Sequence, residues 1–126
     1  VQYRNWAQPV EMVRLLILFQ RGTLLSPASR DLLLKDMTET ETGPKRLKGN
    51  LPPGTVVAHK TGTSNTVNGV TAATNDVGLI TLPNGRHLAI AVFVSDSPLS
   101  QDTRERTIAA CARIAWNHFT QPARKP

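Results

Sequence analysis

Apolar positions along this chain fall into two kinds of run, one suited to helices and one to strands. Met12, Val13, Leu15, Leu16, Ile17, Leu18 and Phe19 crowd the segment that follows Gln8-Pro9. Proline is tolerated in a first helical turn, so the run predicts a helix from Val10 to about Gln20 that is apolar on most sides and buried between two neighbours. Arg21-Gly22-Thr23 sets a glycine at the expected stop. Ser26-Pro27 opens a second helix, serine as N-cap and proline at its first position, with Leu32, Leu33, Leu34 and Met37 as the core stripe and an end near Thr40. Three β-rich runs follow, Thr55 to Lys60, Val77 to Leu82 and His87 to Val94. Pro83-Asn84-Gly85-Arg86 lies between the last two, and its Asn-Gly pair predicts a tight hairpin and antiparallel pairing. Ser100 or Asp102 can cap a final helix from about Thr103 to Phe119. There Ile108, Cys111, Ala112, Ala115 and Phe119 recur at helical spacing as one face able to cover a sheet, and that face makes Cys111 a small buried side chain.

The connections differ in character. Residues 43–54 carry glycine, proline and three cations, the usual composition of a solvated loop. Ser64 to Thr74 is polar and glycine-containing, and is expected to be a mobile flap. The chain therefore divides into a helical part, residues 1–44, and a part with three strands and a helix, residues 45–126. Three antiparallel strands with one covering helix leave a face and an edge open, which predicts membership in a larger molecule.

Composition narrows the function. The formal charge is +6, yet the cations gather only as Lys45, Arg46 and Lys48 and as a terminal Arg124-Lys125, with no aromatic interleaving, so no nucleic acid partner is expected. No apolar run approaches the length of a membrane span, and no membrane partner is expected. His59, His87, His118 and the single Cys111 lack ligand spacing, so neither a metal nor another cofactor is expected.

The candidate chemistry sits at the end of the first strand, in His59-Lys60-Thr61-Gly62-Thr63-Ser64. A cation, two hydroxyls and a glycine that lets a ligand approach the backbone suit an anionic substrate held along a strand edge. Other segments join it in order: Tyr3-Arg4-Asn5-Trp6, Thr42-Gly43-Pro44-Lys45-Arg46-Leu47-Lys48-Gly49, Leu51-Pro52, Thr71-Ala72-Ala73-Thr74-Asn75-Asp76-Val77-Gly78 and Leu88 to Val94. Together they resemble the C-terminal half of a class A serine β-lactamase, nearest the extended-spectrum branch that includes the PER and VEB types.

That resemblance implies an α/β (α+β) fold of the β-lactamase/transpeptidase kind. The three strands would belong to a five-stranded antiparallel sheet, followed by the C-terminal helix and preceded by helices of an all-α domain. It implies β-lactam hydrolysis through an acyl-serine, with a periplasmic or secreted location and a cephalosporin preference. Lys60 and Thr63 would be catalytic, the Thr63 N–H serving as an oxyanion-hole donor. Thr61, Gly62, Thr63, Ser64 and Arg46 would bind substrate, Arg46 gripping its carboxylate as a two-pronged fork. The family's S-x-x-K, S-D-N and deacylating glutamate are not in these residues, since no serine has a lysine three positions on, so the N-terminal half of the enzyme is expected to supply them. A penicillin-binding transpeptidase fragment and a fragment inert by itself are the alternatives.

Overall fold

The computed structural model describes residues 6–121, so Tyr3 to Asn5 of the first matching segment lie outside the described residues. Two helices, α1 (Pro9–Gln20) and α2 (Pro27–Glu39), precede four strands, β1 (Val57–Thr63), β2 (Thr66–Val67), β3 (Val70–Thr81) and β4 (His87–Ser97), and α3 (Gln101–Thr120) closes the chain. The helix starts follow local chemistry. Proline occupies the first turn of α1 and of α2, and Ser26 and Ser100 accept hydrogen bonds from Ser29 N and Thr103 N as N-caps. Arg30, on α2, donates to the carbonyls of Phe19 and Gln20 and so satisfies the exposed end of α1.

The sheet is antiparallel throughout, with β3 at its centre between β1 and β4. β2 and the start of β3 form a two-residue hairpin, Val67 opposite Val70. Its tip, Asn68-Gly69, has positive φ at both residues, 50° and 77°, the geometry that two-residue hairpins require and that Asn-Gly supplies. The expected flap over Ser64 to Thr74 is therefore a paired arm, and β3 reaches seven residues further toward the N-terminus than the Val77 to Leu82 run predicts. Thr71 and Thr74, polar but fully enclosed, lie within this extension.

Alternation along the strands sorts the core into two layers. Val57, Ile80, Leu82 and Ile90 face α3 and pack with Leu47, Ile108, Ala112 and Trp116. Ala58, Val77 and Leu79 face the other way and pack with Leu16 and Phe19 of α1 and Met37 of α2.

The stripes of α3 and α2 differ from expectation. The buried stripe of α3 is Ile108, Ala112 and Trp116, four residues apart, and it turns Cys111 and Phe119 outward to solvent. Among the described residues α1 is covered on one side, with Leu16 and Phe19 buried and Val10, Leu15, Ile17 and Leu18 exposed. On α2 only Met37 is buried, and Leu32 and Leu33 are exposed. A single sheet face can cover only one side of a helix that is apolar on several.

Candidate active site

Everything in the candidate site converges on the last four residues of β1. Among the described residues β1 pairs only with β3, so its other side is a free edge. Ser64 N donates to Ala73 O of β3 at 3.0 Å. Backbone donors alternate sides along an antiparallel strand, so the Thr63 N–H turns to the free edge. Lys60 and Gly62 belong to the α1/α2 face and Thr61 and Thr63 to the opposite one, and the motif is thus divided between the two faces of one strand.

Lys60 is exposed. Its Nζ folds back onto Thr61 O at 2.7 Å, and its stem forms part of the wall of a cavity of about 390 Å³ lined otherwise by Met12, Leu15, Phe19, Leu33, Val77 and their neighbours. Thr61 Oγ1 meets Thr42 Oγ1 at 3.0 Å. Gly43, φ 58°, lies against the same threonine, where an added Cβ would come within 2.6 Å of Thr61 Cγ2; both facts demand glycine there. Gly62 is exposed with open space where a side chain would be. Ser64 accepts from Ala73 N at 2.8 Å, so its hydroxyl extends the β1–β3 ladder.

Arg46 lies beneath this ledge and is only 4% exposed. Its Nε donates to Glu105 Oε1 at 3.1 Å, one η nitrogen donates to Gly62 O and Asn75 O at 3.2 and 2.9 Å, and the other donates to Thr63 Oγ1 at 2.7 Å. Guanidinium has five N–H donors, and these four bonds leave one, on the nitrogen next to Thr63. In this arrangement the guanidinium presents a single unengaged N–H, beside the Thr63 hydroxyl.

Three residues around this ledge were given no role in the sequence reading, although His59 and Asp76 stand within its matching strings. Glu105, on the first turns of α3, is 59 residues from Arg46 and also accepts from Gln101 Nε2 at 3.2 Å. His59 and Asp76, both 0% exposed, meet through Nδ1 to the two carboxylate oxygens at 3.0 and 2.8 Å. Asp76 Oδ2 also accepts Leu47 N at 3.1 Å. His59 Nε2 and Asn75 Oδ1 are buried without a hydrogen-bond partner among the described residues. Burial behind the Lys60 motif is the only sequence signal that could have marked His59, because His59 opens the motif on the inward side of an alternating strand.

The family model described as "Beta-lactamase enzyme family" matches residues 2–119, and the chain belongs to that family. It is 52% identical over 94% of its length to the β-lactamase VEB-1 of Pseudomonas aeruginosa and 55% identical over 92% to the extended-spectrum β-lactamase PER-1 of the same organism. The crystal structure of the extended-spectrum β-lactamase TLA-3 superposes with a TM-score of 0.94 at 56% identity, covering 96% of this chain and 44% of that one. The chain spans about two fifths of the length of the curated relatives it matches, 40% and 38% for the two named.

Proposed function

We propose that the protein carrying this chain hydrolyses β-lactams through an acyl-serine intermediate, as a class A enzyme, and that these residues supply the ledge on which the substrate carboxylate and carbonyl lie. The observation that carries the reading is the Lys60–Thr63 edge. It sets a cation, an outward N–H and a hydroxyl within one strand end of a chain with this family match. In the reaction a serine from the rest of the fold adds to the lactam carbonyl, the C–N bond breaks, and water then releases the acyl group. Lys60 contributes positive potential to the proton network around that serine. The Thr63 N–H stabilises the developing oxyanion, a contribution on the order of 3 kcal/mol for one such donor. Thr61 and Thr63 hydroxyls and the free η N–H of Arg46 receive the carboxylate, Gly62 leaves room for close approach, and Ser64 holds the strand end in register.

The same reading assigns α1 and α2 to the all-α domain of the complete fold and has the N-terminal part of the enzyme cover the apolar cavity beside Lys60. The serine, its lysine, the S-D-N loop and the deacylating glutamate come from that part. An extended cephalosporin spectrum and a periplasmic location are included. The name of PER-1 supports the first, and the short Ser64–Val70 arm at the mouth of the ledge is compatible with bulky acylamino groups.

Nitrocefin turnover by the full-length protein tests the reading. Hydrolysis is expected, together with a loss of at least a hundredfold in kcat/KM for Lys60→Ala. A stable acyl-enzyme that does not turn over would identify a transpeptidase instead. Hydrolysis of ampicillin with cefotaxime and ceftazidime untouched would remove the extended spectrum.

A further inference from the structure

We infer that the buried His59–Asp76 pair is a positioning device that sets Arg46 and the Lys60–Thr63 edge in their working register. The inference rests on the roles just proposed for Arg46 and Thr63. It starts from a cost. Two polar side chains with no exposure are difficult to account for by stability alone, because a well-packed apolar pair at such a place is commonly as stable or more so. What such a pair supplies better than an apolar one is a unique alignment.

Here the alignment is specific. In the β1–β3 ladder His59 lies opposite Gly78 and Thr61 opposite Asp76, so imidazole and carboxylate meet only diagonally across two rungs. A slip of one residue would carry His59 to the other face and Lys60 inward, and the bond would be lost. Gly78 makes the seat: a Cβ there would stand 2.4 Å from Ala58 O and 2.8 Å from His59 Cβ. No other residue lets β1 and β3 approach this closely at the rung where the imidazole turns toward Asp76.

The pair also reaches the arginine. Asp76 Oδ2 accepts the backbone N–H of Leu47, next to Arg46 in the chain, and the carbonyl of Asn75, next to Asp76, accepts from Arg46 itself. One carboxylate thus ties together β1, β3 and the 43–49 loop. With Nδ1 facing both carboxylate oxygens, the ring donates Nδ1–H, and Asp76 is oriented to receive Leu47 on the same oxygen. Among the described residues the hydrogen bonds of the His59 side chain go to Asp76 alone, so it acts on the ledge through Asp76 and the backbone.

The test uses the full-length protein, His59→Leu and His59→Asn, with two readouts. The first is the NMR resonance of the Arg46 Nε–H, which reports its bond to Glu105 without any substrate. The second is KM against kcat for nitrocefin. His59→Leu removes the donor and leaves Asp76 buried and unpaired; it should shift or broaden the Arg46 resonance and raise KM about tenfold or more, with a smaller change in kcat. His59→Asn, whose Nδ2 can replace Nδ1, should restore the resonance and bring KM within about threefold of the parent. In an Arg46→Lys background, His59→Leu should change KM by less than about twofold, since the two act through one path. If His59→Leu does not accumulate as folded protein, Asp76→Asn decides: it keeps neutral versions of both bonds and should shift the Arg46 resonance and raise KM roughly fivefold. An Arg46 resonance and a KM unmoved by whichever of these variants folds would overturn the inference. A parent protein that turns over no β-lactam would sink the functional reading and leave the resonance to decide this one.

Discussion

The two faces of the sheet differ in how far they are closed. Against α3 lie Leu47, Ile80, Ile108 and Ala112 at 0% exposure, and the charged and imidazole side chains enclosed there pair with one another, Arg46 with Glu105 and His59 Nδ1 with Asp76. Against α1 and α2 only Leu16, Phe19, Met37, Ala58, Val77 and Leu79 are buried, while Leu15, Ile17, Leu18, Leu24, Leu25, Leu32 and Leu33 lie open around them. The first face is a finished core that uses ion pairs for alignment. The second leaves a row of large apolar side chains open to solvent, the kind of surface that marks a place for further packing. Specificity of placement and availability for further packing are thus held on opposite sides of the same strands.

Substitutions can break or sharpen this contrast, and denaturant unfolding of the full-length protein measures each. The largest loss is expected for Glu105→Ala, which strands the buried Arg46 charge and should cost about 3–5 kcal/mol. Leu15→Gln comes next and probes the open face. If the rest of the fold covers it, as proposed, the loss is about 2–3 kcal/mol, whereas a position that stays in water changes stability by about 0.5 kcal/mol or less. Gly78→Ala forces backbone against backbone beneath His59 and should cost about 1–3 kcal/mol, with a disproportionate loss of activity because the displaced strand carries Lys60. Smallest is Ser100→Ala, which removes the N-cap bond of α3 for about 1 kcal/mol and should leave KM unaltered, separating a loss of stability from a loss of alignment.

Much of the fold was legible because its signals are local. Proline and serine at the helix starts, Gly22 at a helix end and Asn84-Gly85 at the hairpin act through their own backbone angles or their nearest amides, and the helices and the β3–β4 pairing follow. The Asn68-Gly69 turn carries the same signal as Asn84-Gly85, but it sits among polar residues where no apolar alternation announces strands, so the segment resembled a loop. The phase of α3 was ambiguous for a different reason. Small alanines lie on several sides of the helix, and only the sheet decides that Ile108 and Trp116, and not Cys111 and Phe119, turn inward. In the site, Lys60, Thr61, Gly62, Thr63 and Arg46 could be picked out because they stand in short ordered strings. Glu105 could not, since it meets Arg46 across 59 residues and has nothing in its own neighbourhood to mark it; Asp76 stands in the Thr71 to Gly78 string, but nothing there tells that its partner is His59 on another strand.

The Asn68-Gly69 tip constrains how this arm can change in length. A two-residue corner fixes which residues stand opposite one another down both legs. Lengthening each leg by one residue would carry the corner outward and leave Thr71 facing inward as before. A single inserted residue would have to be absorbed as a bulge or would turn every side chain beyond it to the wrong side. Homologous arms should therefore differ in length by even numbers, and a laboratory library that samples only such steps would vary the reach of the rim without disturbing the threonines beneath it.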